Sequence, residues 1–442
     1  MMIFFGSGAR SGPLKRWLLA PLVCLLVVMS APPAATQAAT PSQIVLNMEQ
    51  RLEAEYETYF GEDLAEVTQS SDAIAATLAR IGNETDTTPA VLWATPREDS
   101  LNLVLITPNG EPIVRDLNDV SRERLEKTTA QFYRHISRPS NNAYMPAARK
   151  LYDWLIGTYE DEFLTPAGVD TLLFCFSDGL RGLAVPALHD GERFLVEKYN
   201  TARIPAFNLI DLNYTPIEPG NLLAMGASEF AELAPLPAVP IELSNIVWQL
   251  RTAGGENRSW EDRSLLNQSF TLEYFNTLLG RQSYDIVHLA THAEFKPGSP
   301  DNSYIQLWDQ RLTLQEMSNL DWQLPSLELL VLSACETAVG DSNAELGFAG
   351  LALRAGVKSA VASLWDVSDA GTLALMSEFY HHIPQSATKA EALRQAQLNL
   401  LRGKTEAIDI SRLPKAFGAV QSADVLSHPF YWAGFSLISS PW

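Results

Sequence analysis

Two residues able to form a nucleophilic pair, His292 and Cys335, stand 43 positions apart in this 442-residue chain. A free thiol titrates near about 8.5, so only a few per cent is nucleophilic thiolate at neutral pH. A neighbouring imidazolium favours the thiolate, and the same ring can later protonate a leaving amine. Backbone N–H groups beside the sulfur, those of Ala293 and Cys335, would hold the oxyanion of a tetrahedral intermediate. Each residue follows an apolar run with strand composition. Asp285-Ile-Val-His-Leu-Ala290 leads to Thr291-His292, and Leu327-Glu-Leu-Leu-Val-Leu-Ser333 leads to Ala334-Cys335. Ligands of open α/β sheets bind beyond the carboxyl ends of strands, and neighbouring parallel strands would set these two ends about 5 Å apart. Pattern alone leaves two other readings open: a hydrogen-bonded core histidine, and a structural disulfide between Cys175 and Cys335.

Other residues near these runs invite chemistry. Asp366 and Asp369 follow a further apolar run, Ser359–Leu364, and read either as acceptors for a basic substrate side chain or as part of a helix cap at Ser368 or Asp369. The cap is the favoured reading. His288, His292 and Glu294 have metal-ligand chemistry, but no H-E-x-x-H helix or cysteine pair accompanies them. A core-packed His288 and no metal are therefore expected. Ser342, in Gly340-Asp-Ser342, lacks the preceding strand of a nucleophile elbow. No G-x-G-x-x-G or Walker sequence occurs, so no nucleotide cofactor is expected.

The elements that would position these residues follow a change of pattern. Residues 41–80 read as helical, with Ile44, Met48, Leu52, Tyr56 and Tyr59 on one side and acids on the other. Val91–Ala94, Leu101–Thr107 and Glu111–Leu117 read as strands, the last two joined by Pro108-Asn109-Gly110, and helices are expected over Val120–Ile136 and Tyr144–Tyr159. From residue 168 onward, apolar strands alternate with helices, the pattern of a mostly parallel sheet covered on both faces. Gly356 reads as a helix C′ residue, and Thr388-Lys-Ala-Glu391 as a capping box opening a helix to Leu401. Trp432–Ser436 reads as a closing strand. The loop-rich stretches 216–240 and 296–303 are placed to cover a site.

Composition sets the class. With 46% hydrophobic and 19% charged residues the chain is globular, and a formal charge of −20 without a basic stripe disfavours nucleic acid. Arg10, Lys15 and Arg16 precede an apolar run from Trp17 to Met29, which is too short for a spanning helix. Small residues then lead to Thr36-Gln37-Ala38, which reads as a cleavage site. Residues 1–38 are thus expected to be a signal peptide that sends the protein to the periplasm or outside the cell, with membrane attachment only if the segment stays uncleaved.

The motifs also carry a resemblance. His288-Leu-Ala-Thr-His292-Ala-Glu-Phe295, Leu330-Val-Leu-Ser-Ala-Cys335-Glu-Thr-Ala338 and Glu345-Leu-Gly-Phe-Ala-Gly350 resemble the CHAT family, caspase-like domains of clan CD related in fold to caspases and separase. The likeness runs on through Gly356-Val-Lys-Ser-Ala-Val-Ala-Ser-Leu-Trp365 to His428-Pro-Phe-Tyr-Trp-Ala-Gly-Phe435. Upstream it takes in Ser177-Asp-Gly-Leu-Arg181, Ala187-Leu-His-Asp-Gly191 and Leu223-Ala-Met-Gly-Ala-Ser228, and so covers roughly residues 145–442. Residues 39–144 would precede it as a helical segment with a short β-hairpin region. The resemblance implies a caspase-like three-layer α/β/α sandwich and a dyad of His292 and Cys335 that hydrolyses peptide bonds in a protein or peptide substrate. Two positions depart from the family pattern. Ala293 stands where many members have Gly, which would be strained by about 1 kcal/mol or more if that residue needs a positive φ. Glu336 stands where Arg or Gln is frequent, placing a carboxylate beside the thiol and discouraging acidic substrate groups. Both motivate an alternative: a catalytically idle, protein-binding scaffold in the extracytoplasmic space. The helical repeats that often accompany the family have no counterpart period here, and the helices at 41–80 read as a remnant of them.

Overall fold

The alternation of apolar strands and helices is realised in the computed structural model, which describes residues 39–442 apart from 65–67, 109, 141, 254–259, 321–326 and 409–422, and apart from the side chains of 253, 334, 335 and 423. The expected signal segment, with Cys24 and the Trp17–Met29 run, lies outside the described residues, as does Asn109 of the expected hairpin turn. No described helix is long and apolar enough to cross a membrane.

Among the described residues thirteen strands join one sheet. In chain order these are β1 (Pro89–Pro96), β2 (Leu101–Ile106), β3 (Ile113–Leu117), β4 (Thr171–Phe176), β5 (Asn200–Ile204), β6 (Asn221–Gly226) and β7 (Glu261–Leu266). There follow β8 (Ile286–Phe295), β9 (Tyr304–Gln306), β10 (Arg311–Thr313), β11 (Leu329–Thr337), β12 (Ser359–Ser363) and β13 (Phe435–Ser439). The spatial order is β10-β9-β8-β11-β12-β13-β5-β4-β1-β2-β3, with β6 and then β7 branching from β8. The central pairs β8–β11, β11–β12, β6–β8 and β4–β5 are parallel, and all of these strands except β5 are largely apolar, as a sheet covered on both faces requires. The β1–β3 meander continues this sheet beside β4, so the strands of residues 39–144 extend the larger sheet rather than forming their own.

Among the described residues ten α-helices pack around it: α1 (Pro41–Phe60), α2 (Ser71–Thr85), α3 (Arg122–Ile136), α4 (Met145–Tyr152), α5 (Val239–Ala253), α6 (Leu272–Leu279), α7 (Ser342–Ala349), α8 (Leu351–Ala355), α9 (Asp369–His382) and α10 (Lys389–Leu401). On one face α9 lies between α5 and α10, and is buried from Ala370 to Tyr380, which is why its sequence is apolar all round. On the other face α7 and α8 pack on the strands with α1 against them. The result is the three-layer α/β/α architecture with an N-terminal helical segment.

Local chemistry sets the boundaries. Thr40 caps α1 and Gly61 ends it at φ 73, so the expected helical stretch is two helices rather than one. Gly356 ends α8 at φ 67, as a C′ glycine. Thr388 caps α10 through Glu391 N–H, while the Glu391 carboxylate reaches back one residue further than a capping box would, to Ala387 N–H. The closing strand begins at Phe435 instead of Trp432, because Trp432 ends a short 3₁₀ turn and donates its indole N–H to Ser427 O. The acids of α1 do not all face solvent: Glu49 is fully buried and accepts from Trp93 Nε1 (2.6 Å), Phe207 N (3.1 Å) and Asn208 N (3.0 Å).

Candidate active site

His292 and Cys335 lie on two adjacent parallel strands. β8 and β11 keep a parallel register in which Leu332 stands opposite Leu289, Ala334 opposite His292 and Cys335 opposite Ala293. Both strands run past the residues that were expected to close them, to Phe295 and Thr337, because Glu294 and Ala293 also pair with Tyr304 and Ile305 of β9. The ladder slips just before the histidine. Ala290 and Thr291 together stand opposite Ser333, the two-against-one count of a β-bulge, which re-aims the side chains that follow.

The His292 ring is half-buried under the loop after β6. Its Nε2 lies 2.8 Å from Ala234 O, and its ring centroid is 4.8 Å from that of Phe230. A carbonyl only accepts, so Nε2 carries the hydrogen and the lone pair of a neutral ring is on Nδ1. The loop is tied down from the far side: Ala238 N–H donates to Asp369 Oδ2 at 3.0 Å. Asp369 thereby joins the first turn of α9 to the start of α5, while Ser368 is the N-cap residue, accepting from Gly371 N–H. Desolvation by the surrounding protein raises the pKa of Asp369 and of Asp366, even though the Asp366 side chain still reaches solvent, and the charge of His292 opposes the rise in both. The two carboxyls therefore sit within electrostatic reach of the ring. Asp366 is exposed, as is Glu336, which stands opposite Glu294 in the ladder. Ala293 is buried and extended; the non-glycine residues with positive φ among the described ones are Asp86, Asn267 and Ser439. The strain expected for an alanine there does not arise in this conformation.

His288 has its own partners. Its Nε2 lies 2.8 Å from Glu242 Oε1 and its Nδ1 3.0 Å from Tyr380 Oη, all three residues buried. Both ring nitrogens are thus committed to protein groups, and Glu294 is held by Tyr304 Oη (2.7 Å) and Lys296. Neither residue offers an uncommitted donor to a metal shared with His292. Cys175 is a buried free thiol beneath α1, its Sγ 3.9 Å from Glu49 Oε1. Four sheet steps separate β4 from β11. At about 4.8 Å per step this is far beyond the reach of a disulfide.

A cavity of about 630 Å³ opens past the ends of β4, β11 and β12, between them and α3, with Tyr133, Asp178, Val339, Gly340, Glu345 and Trp365 in its wall. Asp366, Asp369 and Glu336 are not among its lining residues. Glu345 accepts from Gly340 N–H at 2.9 Å, and burial raises its pKa. Ala234, Phe230 and the Ala238–Asp369 bond carry no signal of their own in the sequence; only the loop-rich composition of 216–240 marks that stretch as a cover, whereas Asp178 lies in the Ser177–Arg181 motif.

The CHAT domain family model matches residues 145–440. A search of curated proteins finds no match. Among solved structures, separase of Saccharomyces cerevisiae in complex with securin aligns with a TM-score of 0.46 and 10% identity over 90% of this chain and 34% of that one. The Arg-specific cysteine proteinase gingipain R aligns with a TM-score of 0.40 and 12% identity, over 73% of this chain and 74% of that one. The complex of Porphyromonas gingivalis RgpB pro- and mature domains gives a TM-score of 0.37 and 12% identity, over 73% and 76% respectively. The chain spans about a third of the length of the separase chain.

Proposed function

The chain belongs to the CHAT domain family, a caspase-like cysteine-peptidase fold, and on that premise we propose that it is an exported endopeptidase with Cys335 as nucleophile and His292 as acid and base. The observation that carries this reading is the parallel β8–β11 register, with His292 opposite Ala334 and Cys335 opposite Ala293. The bond to Ala234 O leaves Nδ1 as the proton acceptor. In the first step Nδ1 takes the thiol proton and the thiolate adds to the scissile carbonyl. Backbone N–H groups of Ala293 and Cys335 hold the oxyanion. The imidazolium then returns its proton to the leaving amine, and water, deprotonated by the same ring, hydrolyses the thioester. The cavity beside Tyr133 and Trp365 is the place for a substrate side chain. Export rests on the Trp17–Met29 run and the small residues after it.

Cleavage of a peptide library by the purified chain tests the reading. Cys335→Ala should lower the rate by about 10³-fold or more, and His292→Ala by about 10² to 10⁴-fold, with melting curves unchanged. A peptidyl electrophile should label Cys335, and labelling should slow on His292→Ala. Full cleavage by Cys335→Ala would refute the peptidase reading. Intact folding with no cleavage and no labelling in the parent chain would leave the protein-binding scaffold, the reading that the exposed Glu336 beside Cys335 favours. Because Ala293 is extended, Ala293→Gly is expected to change the cleavage rate by less than about threefold, while costing about 0.5–1 kcal/mol of stability as a strand glycine. A tenfold gain in rate would show that the working backbone at 293 is not the extended one.

A further inference from the structure

The sheet carries a second cavity, of about 540 Å³, at the pole opposite His292 and Cys335. It opens beneath Ile286 and Leu329, the first residues of β8 and β11, which stand opposite each other in the ladder. About six strand residues, roughly 20 Å, separate it from the dyad positions. Its walls are largely apolar, with Pro216, Ile217 and Ile383 among them. The polar groups facing it are unusual in what they lack. Trp260 is 3% exposed and its Nε1–H has no partner among the described residues, and Tyr284 is 5% exposed with an unpartnered Oη.

Behind them lies an unbalanced charge cluster. Lys389 lines the cavity, 1% exposed, with Nζ 3.2 Å from Glu328 Oε2. Lys358, 4% exposed, donates to Thr215 Oγ1 (3.1 Å) and Glu328 Oε1 (3.3 Å). Two buried ammonium groups therefore share one carboxylate. The other acids that face the cavity are Glu218 and Asp285, and the charge of Asp211 also reaches Lys389. Asp285 Oδ2 already accepts Asn221 N–H at 2.7 Å and is partly buried, while Glu218 is exposed, where water screens it. Burial, joined by the charge of Lys358, holds Lys389 down to about 8 against the pull of Glu328 and Asp211.

Two buried ammonium groups sharing the Glu328 carboxylate, and two buried donors without a partner among the described residues, call for acceptor oxygens, while the surrounding walls call for an apolar body. We propose that this cavity is a binding site for a small organic acid, with its carboxylate toward Lys389, Trp260 and Tyr284 and its apolar body against Pro216, Ile217 and Ile383. The site does not depend on the peptidase reading, since none of its residues belongs to the dyad or its loop.

Calorimetric titration of the purified full chain at about pH 7 tests this, with 3-phenylpropionate, octanoate and glutarate as probes and 3-phenylpropionamide as the uncharged control. At least one acid with an apolar body should bind with a Kd below about 1 mM, the amide should bind about tenfold or more weakly, and glutarate should be the weakest acid. Tyr284→Phe removes only the phenolic hydroxyl, and Lys389→Met leaves the Lys358–Glu328 pair in place; each should weaken the best acid by about tenfold. No acid binding up to about 10 mM, equal binding of acid and amide, or binding unmoved by both substitutions would each overturn the assignment.

Discussion

A chain lacking residues 39–62 should fail to unfold cooperatively, although the residues removed lie wholly outside the 145–440 family match. Five apolar side chains of α1, those of Val45, Met48, Leu52, Tyr56 and Phe60, are buried. At about 1.5–3 kcal/mol each they contribute on the order of 10 kcal/mol, as much as the whole net stability of an ordinary domain. The polar contacts add to this. Arg181 is 1% exposed and bonds Glu55, and Arg354 is 3% exposed and bonds Glu62. Without α1 both guanidinium groups would lose these carboxylates together with the Tyr56 and Phe60 rings that cover them. The seat is shaped for the helix, since a Cβ on Gly350 would meet Phe60 at 2.8 Å. Circular dichroism melting checks the expectation: the shortened chain should give no sigmoidal transition, and Glu49→Ala in the full chain should cost about 3 kcal/mol by leaving the Trp93, Phe207 and Asn208 donors unpaired. A cooperative melt of the shortened chain within a few degrees of the parent would show that α1 is an appendage.

That expectation reverses part of what the sequence suggests. Periodicity placed α1 and the buried Met48, Leu52 and Tyr56 of its stripe, while Val45 and Phe60 are buried where Ile44 and Tyr59 were expected, since neighbouring positions share one broad helix face. Periodicity is silent about acids that enter the core, so Glu49 and Glu53 read as a solvated side. What buries Glu49 is a set of donors from β1 and from residues 207–208, more than 40 positions away in sequence. Strand legibility follows the same physics. β4, β8, β11 and β12 are continuous apolar runs and could be placed from sequence. β5 contains Asn200, Thr201 and Arg203, and Arg203 is 2% exposed over the Phe348 ring, a strand whose composition hides its burial. β7, Glu261–Leu266, is a polar edge strand without an apolar face to reveal it. At the candidate site the adjacency of β8 and β11 was legible, because parallel strands with covered faces leave few alternatives. The bulge before His292 and the reach of Ala234 were not, since both depend on how an irregular loop lies across the sheet.

Glu242→Ala should destabilise the chain by about 3 kcal/mol and also disturb the candidate site four residues downstream of His288. Glu242 is 2% exposed, and His288 and Tyr380 are fully buried. The Glu242 carboxylate only accepts, so His288 Nε2 donates to it, and Tyr380 Oη, whose pKa burial pushes far up, donates to Nδ1. Removing the carboxylate leaves a buried N–H with no acceptor, and the loss exceeds what the bond contributes when made. Replacing all three groups at once, as Glu242→Leu with His288→Phe and Tyr380→Phe, should recover most of the loss, because no polar atom is then stranded. Urea unfolding midpoints separate the two cases. The functional consequence follows from position. The network pins β8 to α5 and α9, and the α5–α9 junction at Ala238 and Asp369 holds the loop whose Ala234 carbonyl orients His292. With the peptidase assay in hand, Glu242→Ala should lower kcat/KM by about 10 to 100-fold. Asp369→Asn, which can still accept from Ala238 N–H, should lower it far less than Asp369→Ala. A Glu242→Ala chain with an unchanged urea midpoint would remove the network from the account of this site, and equal losses for the two Asp369 variants would remove the tether.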